Sequence, residues 1–241
     1  MGSRYDDGWH GRIDERWSDW MASSELTQRE ISQKYNRFAR WYDWVEGVPE
    51  VLGVNRLRKQ ILQRASGKVL EVAIGTGKNL PYYPSGCRIV AVDASTEMLT
   101  IARNRASRLQ LKIAFVLADA EALPFSDETF DTIVSSLSTC TFPDPVAALK
   151  EMARVCRKMG KVLLLEHGRS DREWLARFQD RTADRHAKKF GCRWNRNSLD
   201  LVRQAGLKIN KGRQVFFGVF NQIEAAPEPE ADLRSSGYQS E

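Results

Sequence analysis

The spacing of apolar residues changes near residue 66 and divides the chain into parts of different periodicity. Over residues 1–65, apolar side chains such as Trp17 recur at intervals of three or four positions, which predicts amphipathic helices. Residues 66–225 alternate short apolar runs with helical patterns, which predicts strands that alternate with helices. Residues 226–241 are rich in Pro, Ser and Glu and have little to bury, so we expect a disordered acidic tail there.

The central part of the chain predicts an α/β sheet that is mostly parallel. Its strands are near-continuous apolar runs, which is typical of parallel strands covered by helices on both faces. The last two strands have no room for a helix between them, so we expect an antiparallel edge. Ser95 and Asp144 are predicted to cap helices that Arg108 and Gly160 end. The predicted strands are 68–73, 87–93, 112–119, 130–136, 161–167, 207–215 and 218–225, and the later helices are 171–189 and 198–205.

Composition narrows the class of protein. The chain has 241 residues, of which 42% are hydrophobic and 28% charged, and this excludes a fibrous or wholly disordered chain. The net charge of +6 suits an anionic membrane surface or nucleic acid, and equally it suits simple solubility. We expect a cytoplasmic protein without a signal peptide or membrane span, because the N-terminus is charged throughout and no apolar run approaches roughly 18 residues.

The cysteines are far apart in the sequence and form no CxxC pair. This spacing predicts neither a zinc ribbon nor a disulfide framework, so we expect reduced thiols and no metal site. Cys140 is predicted to be a small buried residue rather than a nucleophile. The cysteines are Cys87, Cys140, Cys156 and Cys192.

Three consecutive strand tips carry residues that suit a nucleoside. The first strand ends in a Gly-rich turn with Gly75 and Gly77, where backbone N–H groups can approach a ligand closely. Asp93 ends the second strand and is placed to accept from ribose hydroxyls, and Asp119 ends the third and can accept from an exocyclic amine. The turn is followed by Leu80 where a dinucleotide fingerprint has its third Gly, and no P-loop Lys is present. The pattern therefore favours a nucleoside without a pyrophosphate.

Four segments in this order resemble the class I S-adenosylmethionine-dependent methyltransferases: VLEVAIGTGKNLPYYP, VAVDASTEMLTIA, ADAEALPFSDETFD and ALKEMARVCRKMGKVLLLEH. Within that family the chain is most similar to ubiquinone and menaquinone C-methyltransferases, phosphatidylethanolamine N-methyltransferases and thiol-methyltransferase-like proteins. The resemblance implies S-adenosylmethionine as cofactor. It also implies a Rossmann-like, seven-stranded, mostly parallel sheet of order 3-2-1-4-5-7-6, with helices on both faces and an N-terminal helical lid.

The resemblance also assigns roles by position. Residues at the first two strand tips would hold methionine and ribose, those at the third the adenine, and those at the fourth the methionine end, under an aromatic lid. Ala73 stands where the family usually has Gly, and its methyl group is expected to crowd the turn. The residues implied to bind the cofactor are Tyr35, Tyr42, Glu71, Ala73, Gly75, Gly77, Asp93, Ala94, Asp119, Ala120, Ser135 and Ser136.

The methyl acceptor is predicted to be small and lipophilic. Aromatic residues crowd the N-terminal helices over 12–47 and would form an apolar entrance, which suits a lipid amine, a quinone-like ring or a thiol. The same helices could rest on a membrane surface. His167 follows the fifth strand and is the candidate base for an acceptor that must lose a proton.

Two other classes of function stay open. Residues 169–196 contain nine Lys or Arg against four Asp or Glu, interleaved with aromatic residues, which could contact RNA phosphates in an RNA methyltransferase. The chain could also bind the cofactor without catalysis and act as an assembly factor.

Overall fold

In a computed structural model of the chain, Glu30 and residues 53–228 are described. The predicted lid residues Tyr35 and Tyr42, and the tail beyond residue 228, lie outside this part. The helices are α1 (Asn55–Leu62), α2 (Thr96–Arg108), α3 (Pro145–Val155), α4 (Glu173–Phe190) and α5 (Ser198–Gln204), with a 3₁₀ turn at Leu80–Tyr82. The strands are β1 (Lys68–Val72), β2 (Arg88–Asp93), β3 (Ala114–Leu117), β4 (Phe130–Ser136), β5 (Cys156–His167), β6 (Leu207–Val215) and β7 (Phe220–Pro227).

The strands form one sheet in the order β3-β2-β1-β4-β5-β7-β6, as predicted. The first five strands pair in parallel, with Leu70 of β1 opposite Val90 of β2 and Ile133 of β4. β7 runs antiparallel to both β5 and β6, which is the expected antiparallel edge. Because β1 and β4 are neighbours and their crossovers lead away on opposite sides, the carboxyl ends of β1, β2 and β4 border one crevice.

Helices cover both faces of the sheet. On one face, α3 and α5 pack through residues such as Met152 and Val202 onto Leu70 and Ile133. On the other face, α1 packs onto Val69 of β1, and α2 packs onto the same side of β2. The strands thus bury apolar side chains on both sides, as their continuous apolar sequence requires. Among the described helices, none combines the length and the apolar character needed to cross a bilayer.

The structure corrects the predicted end of α3. This helix ends at Val155, and Gly160, the predicted stop, lies inside β5. The pairing of β4 with β5 shifts register between Phe130 and Thr132, so β5 is irregular at this point. A side chain on Gly160 would meet Cys156 Sγ at 2.7 Å. The absence of a side chain at Gly160 therefore lets Cys156 pack close to the backbone of a bulged strand. Glycine occurs inside strands for this reason as well as at helix ends.

Most other elements differ from the predicted bounds by one to a few residues. β3 is restricted to Ala114–Leu117 at the sheet edge, and α4 begins at Glu173. β7 continues to Pro227, so the sheet includes the first residues of the predicted tail. Ser95 and Asp144 cap their helices through side-chain oxygens, as predicted, and Asn197 caps α5 in the same way.

Candidate cofactor and acceptor site

A cleft lies at the carboxyl ends of β1, β2 and β4. It brings together residues from the Gly-rich turn, from the start of α2 and from the loop after β4. Of the residues predicted to bind the cofactor, those that line the cleft are Ala73, Gly75, Asp93, Ala94, Ala120 and Ser136. Those that stand just outside its lining are Glu71, Gly77, Asp119 and Ser135.

Asp93 organises the cleft from the end of β2. One carboxylate oxygen accepts from the Gly75 N–H at 2.8 Å, and the other accepts from the Ser95 N–H at 2.9 Å. Burial raises the pKa of Asp93 to about 6, although the hydrogen bonds from Gly75 and Ser95 oppose the rise. Each carboxylate oxygen retains a further lone pair, so Asp93 can fix the turn and still accept from a diol.

The Gly-rich turn has a left-handed backbone at three positions. Ala73, Gly75 and Gly77 have φ values of 54°, 57° and 78°. A Cβ at Gly75 would meet no atom within 4 Å, whereas one at Gly77 would meet Leu80 Cδ1 at 2.9 Å. Gly77 thus allows close packing of the turn, and Gly75 leaves space beside the cleft. Ala73 carries a side chain in a conformation that costs most residues about 1–2 kcal/mol.

Glu71 supports the cleft from within β1. Its carboxylate accepts from Asn79 Nδ2 at 2.8 Å and from the Tyr83 hydroxyl at 2.9 Å. Burial is the main reason that its pKa rises to about 7, and the two hydrogen bonds oppose the rise. Glu71 is thus tied to Asn79, which does line the cleft.

Asn79 is one of the cleft residues that sequence reasoning missed. Its amide joins three elements, since Nδ2 also reaches Ser136 Oγ at 3.1 Å and Oδ1 accepts from Arg58 Nη1 at 2.8 Å. Arg58 is a buried residue of α1 and also lines the cleft. In the sequence, the position of Arg58 on the apolar face of a short amphipathic helix could have indicated a buried Arg with a polar partner.

Asp119 and Ser135 each form a hydrogen bond within the protein. Asp119 Oδ1 accepts from the Glu121 N–H at 2.9 Å and thereby shapes the turn that presents Ala120 to the cleft. Ser135 is fully buried, and its hydroxyl bonds that of Ser138. Neither contact tests the predicted roles of Asp119 toward adenine and of Ser135 toward the methionine end.

The loop after β4, residues 137–142, separates the cleft from the end of β5. The buried carboxylate of Glu166 accepts from the Ser138 and Thr139 N–H groups at 3.1 and 3.2 Å. Burial raises the pKa of Glu166 to about 7, against the effect of those hydrogen bonds. Arg196 donates to the Thr139 carbonyl at 2.6 Å from the opposite side. The loop is therefore held by groups far away in the sequence.

His167, the predicted base, lies at the end of β5 and is not among the described residues that line the cleft. Its Nε2 lies 3.3 Å from Cys192 Sγ, and the ligand atoms of Cys140, His167 and Cys192 are all within 4.8 Å of one another. We call these three residues the thiol–imidazole cluster. The Cys192 thiol and burial raise the pKa of Cys140 well above its usual range, so this thiol stays neutral, as expected for a buried cysteine.

The basic segment 169–196 is largely paired within itself. Each of its four acidic residues has an Arg partner: Asp171 with Arg172, Glu173 with Arg177, Asp180 with Arg169, and Asp184 with Arg193. Arg196 is used to hold the loop after β4. Many of the Arg side chains that suggested an RNA-binding surface are thus engaged in contacts within the protein.

Comparison with known proteins identifies the class. A family model described as a methyltransferase domain matches residues 70–164. A phosphatidylethanolamine N-methyltransferase of Cereibacter sphaeroides is 38% identical over 148 residues, which cover 61% of this chain and 72% of that protein. The chain therefore belongs to the S-adenosylmethionine-dependent methyltransferase family, and its cofactor is S-adenosylmethionine.

Further relatives are similar over different lengths. The mitochondrial methyltransferase OMS1 of Saccharomyces cerevisiae is 28% identical over 213 residues, which are 80% of this chain but 45% of the yeast protein. A demethylmenaquinone methyltransferase of Renibacterium salmoninarum is 32% identical over 153 residues, which are 61% of this chain and 63% of that protein. The chain thus spans less than half of the yeast protein and somewhat less than two thirds of the Renibacterium protein.

A solved structure supports the fold. A methyltransferase of Thermotoga maritima, described as a possible histamine N-methyltransferase, superposes with a TM-score of 0.63 at 22% identity. The match covers 82% of this chain and all of that one.

The residues of the cleft fit the cofactor. The remaining lone pairs of the Asp93 carboxylate suit the ribose hydroxyls of the cofactor, and Gly75 leaves open space where any other side chain would project. The Gly-rich turn lacks the GxxxxGK[ST] spacing of a P-loop, and S-adenosylmethionine has no phosphate.

Proposed function

We propose that this protein transfers the methyl group of S-adenosylmethionine to a small lipophilic acceptor, such as a lipid amine, a quinone-like ring or a thiol. The observation that carries the proposal is exposed aromatic surface near the end of β5. Phe216 and Phe217 are 51% and 60% exposed, and the Phe217 carbonyl accepts from the Asp171 N–H at 3.1 Å, just after β5. Exposed aromatic clusters of this kind commonly mark binding surfaces.

The aromatic N-terminal segment is connected to the same region. Residue 53 is the first of the continuous described part, and a side chain on Gly53 would lie 3.4 Å from the Phe216 ring. The chain that carries the predicted aromatic lid therefore leads directly to the exposed Phe216. This connection supports an apolar entrance beside the end of β5. Relatives named phosphatidylethanolamine N-methyltransferase and demethylmenaquinone methyltransferase also support a lipophilic acceptor.

Methyl transfer requires the protein mainly to position the acceptor in line with the methyl group of the cofactor. When bound, S-adenosylmethionine supplies an activated methyl group that leaves in an in-line displacement. Asp93 and the Gly-rich turn fix the nucleoside, while the loop 137–142 shapes the side from which an acceptor approaches. Holding the acceptor in line can supply much of the rate enhancement. A base is needed only if the acceptor loses a proton, and the role predicted for His167 remains a prediction.

We also propose peripheral contact with an anionic membrane. On α4, Trp174 and Phe178 are 68% and 52% exposed and are spaced by one helical turn. Arg181 and Arg185 lie on the same helix, and aromatic residues flanked by cations suit the lipid interface. Flotation with phosphatidylglycerol vesicles, compared with phosphatidylcholine vesicles, should show binding that Trp174→Ala with Phe178→Ala removes. Equal flotation with both vesicle types would contradict an anionic preference.

The acceptor class is tested with methyl-labelled cofactor and an extract that is then divided into organic, RNA, protein and small-molecule fractions. We expect label in the organic phase with the native chain and, at a cofactor concentration below saturation, much less label with Asp93→Ala, which serves as the control. Label in RNA would instead establish the RNA methyltransferase alternative. Cofactor binding without label in any fraction would favour the assembly factor.

A further inference from the structure

The thiol–imidazole cluster joins residues that the sequence keeps far apart. Cys140 comes from the loop after β4, His167 from the end of β5, and Cys192 from the segment that follows α4. Both thiols are buried and the imidazole is half-buried. Thiols are weak hydrogen-bond donors and acceptors, so this arrangement contributes little as a hydrogen-bonding network. The same three atoms are the ligand types that zinc prefers.

The distances in the cluster are close to those of a tetrahedral zinc site. Zinc binds sulfur at about 2.3 Å and nitrogen at about 2.0–2.1 Å, which places two sulfur ligands about 3.8 Å apart and sulfur and nitrogen about 3.6 Å apart. Here Cys192 Sγ lies 3.3 Å from His167 Nε2, and all three ligand atoms lie within 4.8 Å. Small side-chain rotations are enough to pass from one arrangement to the other.

The backbone around the cluster is already fixed. The Arg193 N–H donates to the Cys140 carbonyl at 2.9 Å, which ties two of the ligand segments together. His186 Nδ1 donates to the Cys192 carbonyl at 2.9 Å and holds the turn after α4. His167 is paired with β7 inside the sheet. A site that is held in this way loses little conformational entropy when a metal binds.

We propose that Cys140, His167 and Cys192 bind one zinc ion through Sγ, Nε2 and Sγ, with a fourth position open to water. This inference does not rest on the proposed function. Zinc binding replaces two S–H bonds by two Zn–S bonds, and the two protons leave to solvent. His167 contributes a lone pair from Nε2 while its ring proton resides on Nδ1, and no oxidant or reductant is needed. The ion would join the loops after β4, β5 and α4 at the acceptor edge, and it assigns His167 a ligand role in place of the predicted base.

Cobalt(II) is the probe for this site, because it takes tetrahedral zinc positions and absorbs visibly. The full-length reduced chain, freed of metal by a chelator, is titrated with cobalt(II) and then with zinc(II). We expect one cobalt per chain, thiolate-to-cobalt charge-transfer absorption, tetrahedral d–d bands, and loss of both when zinc is added. Loss of an outer-shell partner alone costs a metal site about 10–100-fold in affinity, so Cys192→Ser and His167→Ala should each cost at least about 100-fold.

Cys87→Ser is the matched control, because Cys87 is a half-buried cysteine outside the cluster and should leave the spectrum unchanged. Circular dichroism and binding of S-adenosylhomocysteine check the fold of each variant. The absence of thiolate-to-cobalt absorption in the folded native chain overturns the proposal, whatever the variants do. So does a spectrum that survives in Cys192→Ser. A chain that binds no metal but forms a Cys140–Cys192 disulfide on oxidation would identify a redox pair instead.

Discussion

Two sides of the proposed site are held by different kinds of contact. We call the ends of β1 and β2 the cofactor edge, and the loop after β4 with the end of β5 the proposed acceptor edge. At the cofactor edge, Asp93 binds Gly75 and Ser95, which are 18 and 2 positions away in the sequence. At the acceptor edge, Glu166 binds Ser138 across 28 positions, and Arg196 reaches Thr139 across 57. The contacts of Asp93 thus lie within one strand–turn–helix unit, whereas the loop after β4 is held by long-range contacts, as is Asn79 in the cleft, which reaches Ser136 across 57 positions. Because Asp93 shares no partner with the loop, we expect that the loop can change without disturbing the contacts of Asp93.

The sharpest way to separate the two edges is to remove the carboxylate of Glu166. Glu166→Ala leaves the Ser138 and Thr139 N–H groups without their acceptor, and we expect a loss of roughly 2–4 kcal/mol in the free energy of unfolding. Denaturant unfolding measures this loss, and Glu166→Gln, which keeps one acceptor oxygen, is the control. A stability equal to that of the native chain would show that Glu166 does not hold the loop.

The converse change removes the carboxylate of Asp93. Asp93→Ala should weaken binding of S-adenosylhomocysteine by about 1–3 kcal/mol, because the ribose hydroxyls and the Gly75 N–H lose their acceptor. Calorimetry on native chain, Asp93→Ala and Asp93→Asn measures the effect. If Glu166→Ala weakened binding as much as Asp93→Ala, the two edges would not be separable.

The pH dependence sharpens the assignment of Asp93. Since its pKa is about 6 in the folded chain, S-adenosylhomocysteine affinity should fall as the pH drops below about 6, where the carboxylate becomes protonated, and level off above it. The unliganded chain should show the opposite trend. Its folded state binds more protons between the ordinary pKa of 3.8 and about 6, so this carboxyl lowers stability as the pH rises through that window. Asp93→Asn, which does not titrate, should lack both components in calorimetric and unfolding titrations.

The smallest effect is expected at Ala73. A left-handed alanine costs about 1–2 kcal/mol, and replacing it by glycine removes this strain. Part of the benefit is lost because glycine gives the unfolded chain more conformational entropy, which lowers stability by about 0.4–1 kcal/mol. Ala73→Gly should therefore raise the unfolding free energy by up to about 1 kcal/mol. Ala94→Gly, the same replacement at another cleft residue that lacks a positive φ, should lower it. Thermal unfolding of both variants makes the comparison, and a loss of stability in Ala73→Gly would mean that its methyl contact outweighs the strain.

The apolar pattern predicted the strands and the residues at their tips, and the resemblance to the methyltransferase family supplied the sheet order, which the structure confirms. Asp93 and Gly75 illustrate the pattern, since both appear at the ends of recognisable apolar runs. The roles of the tip residues toward the cofactor stay predictions. Gly160 was misread because a glycine looks the same in sequence whether it ends a helix or relieves a bulged strand. The partners of Asn79 and the meeting of Cys140 with Cys192 depend on tertiary packing, which no local periodicity encodes.

The order of strands in the sheet also has a consequence for synthesis on the ribosome. β7 lies between β5 and β6, so β6 emerges earlier than the only described strand with which it pairs. Until β7 has been made, β5 presents an open edge of unpaired backbone groups beside the unfinished parallel sheet, and such edges recruit other chains. A nascent chain of this protein should therefore be most prone to aggregation, and most dependent on chaperones, shortly before residues 220–227 leave the exit tunnel.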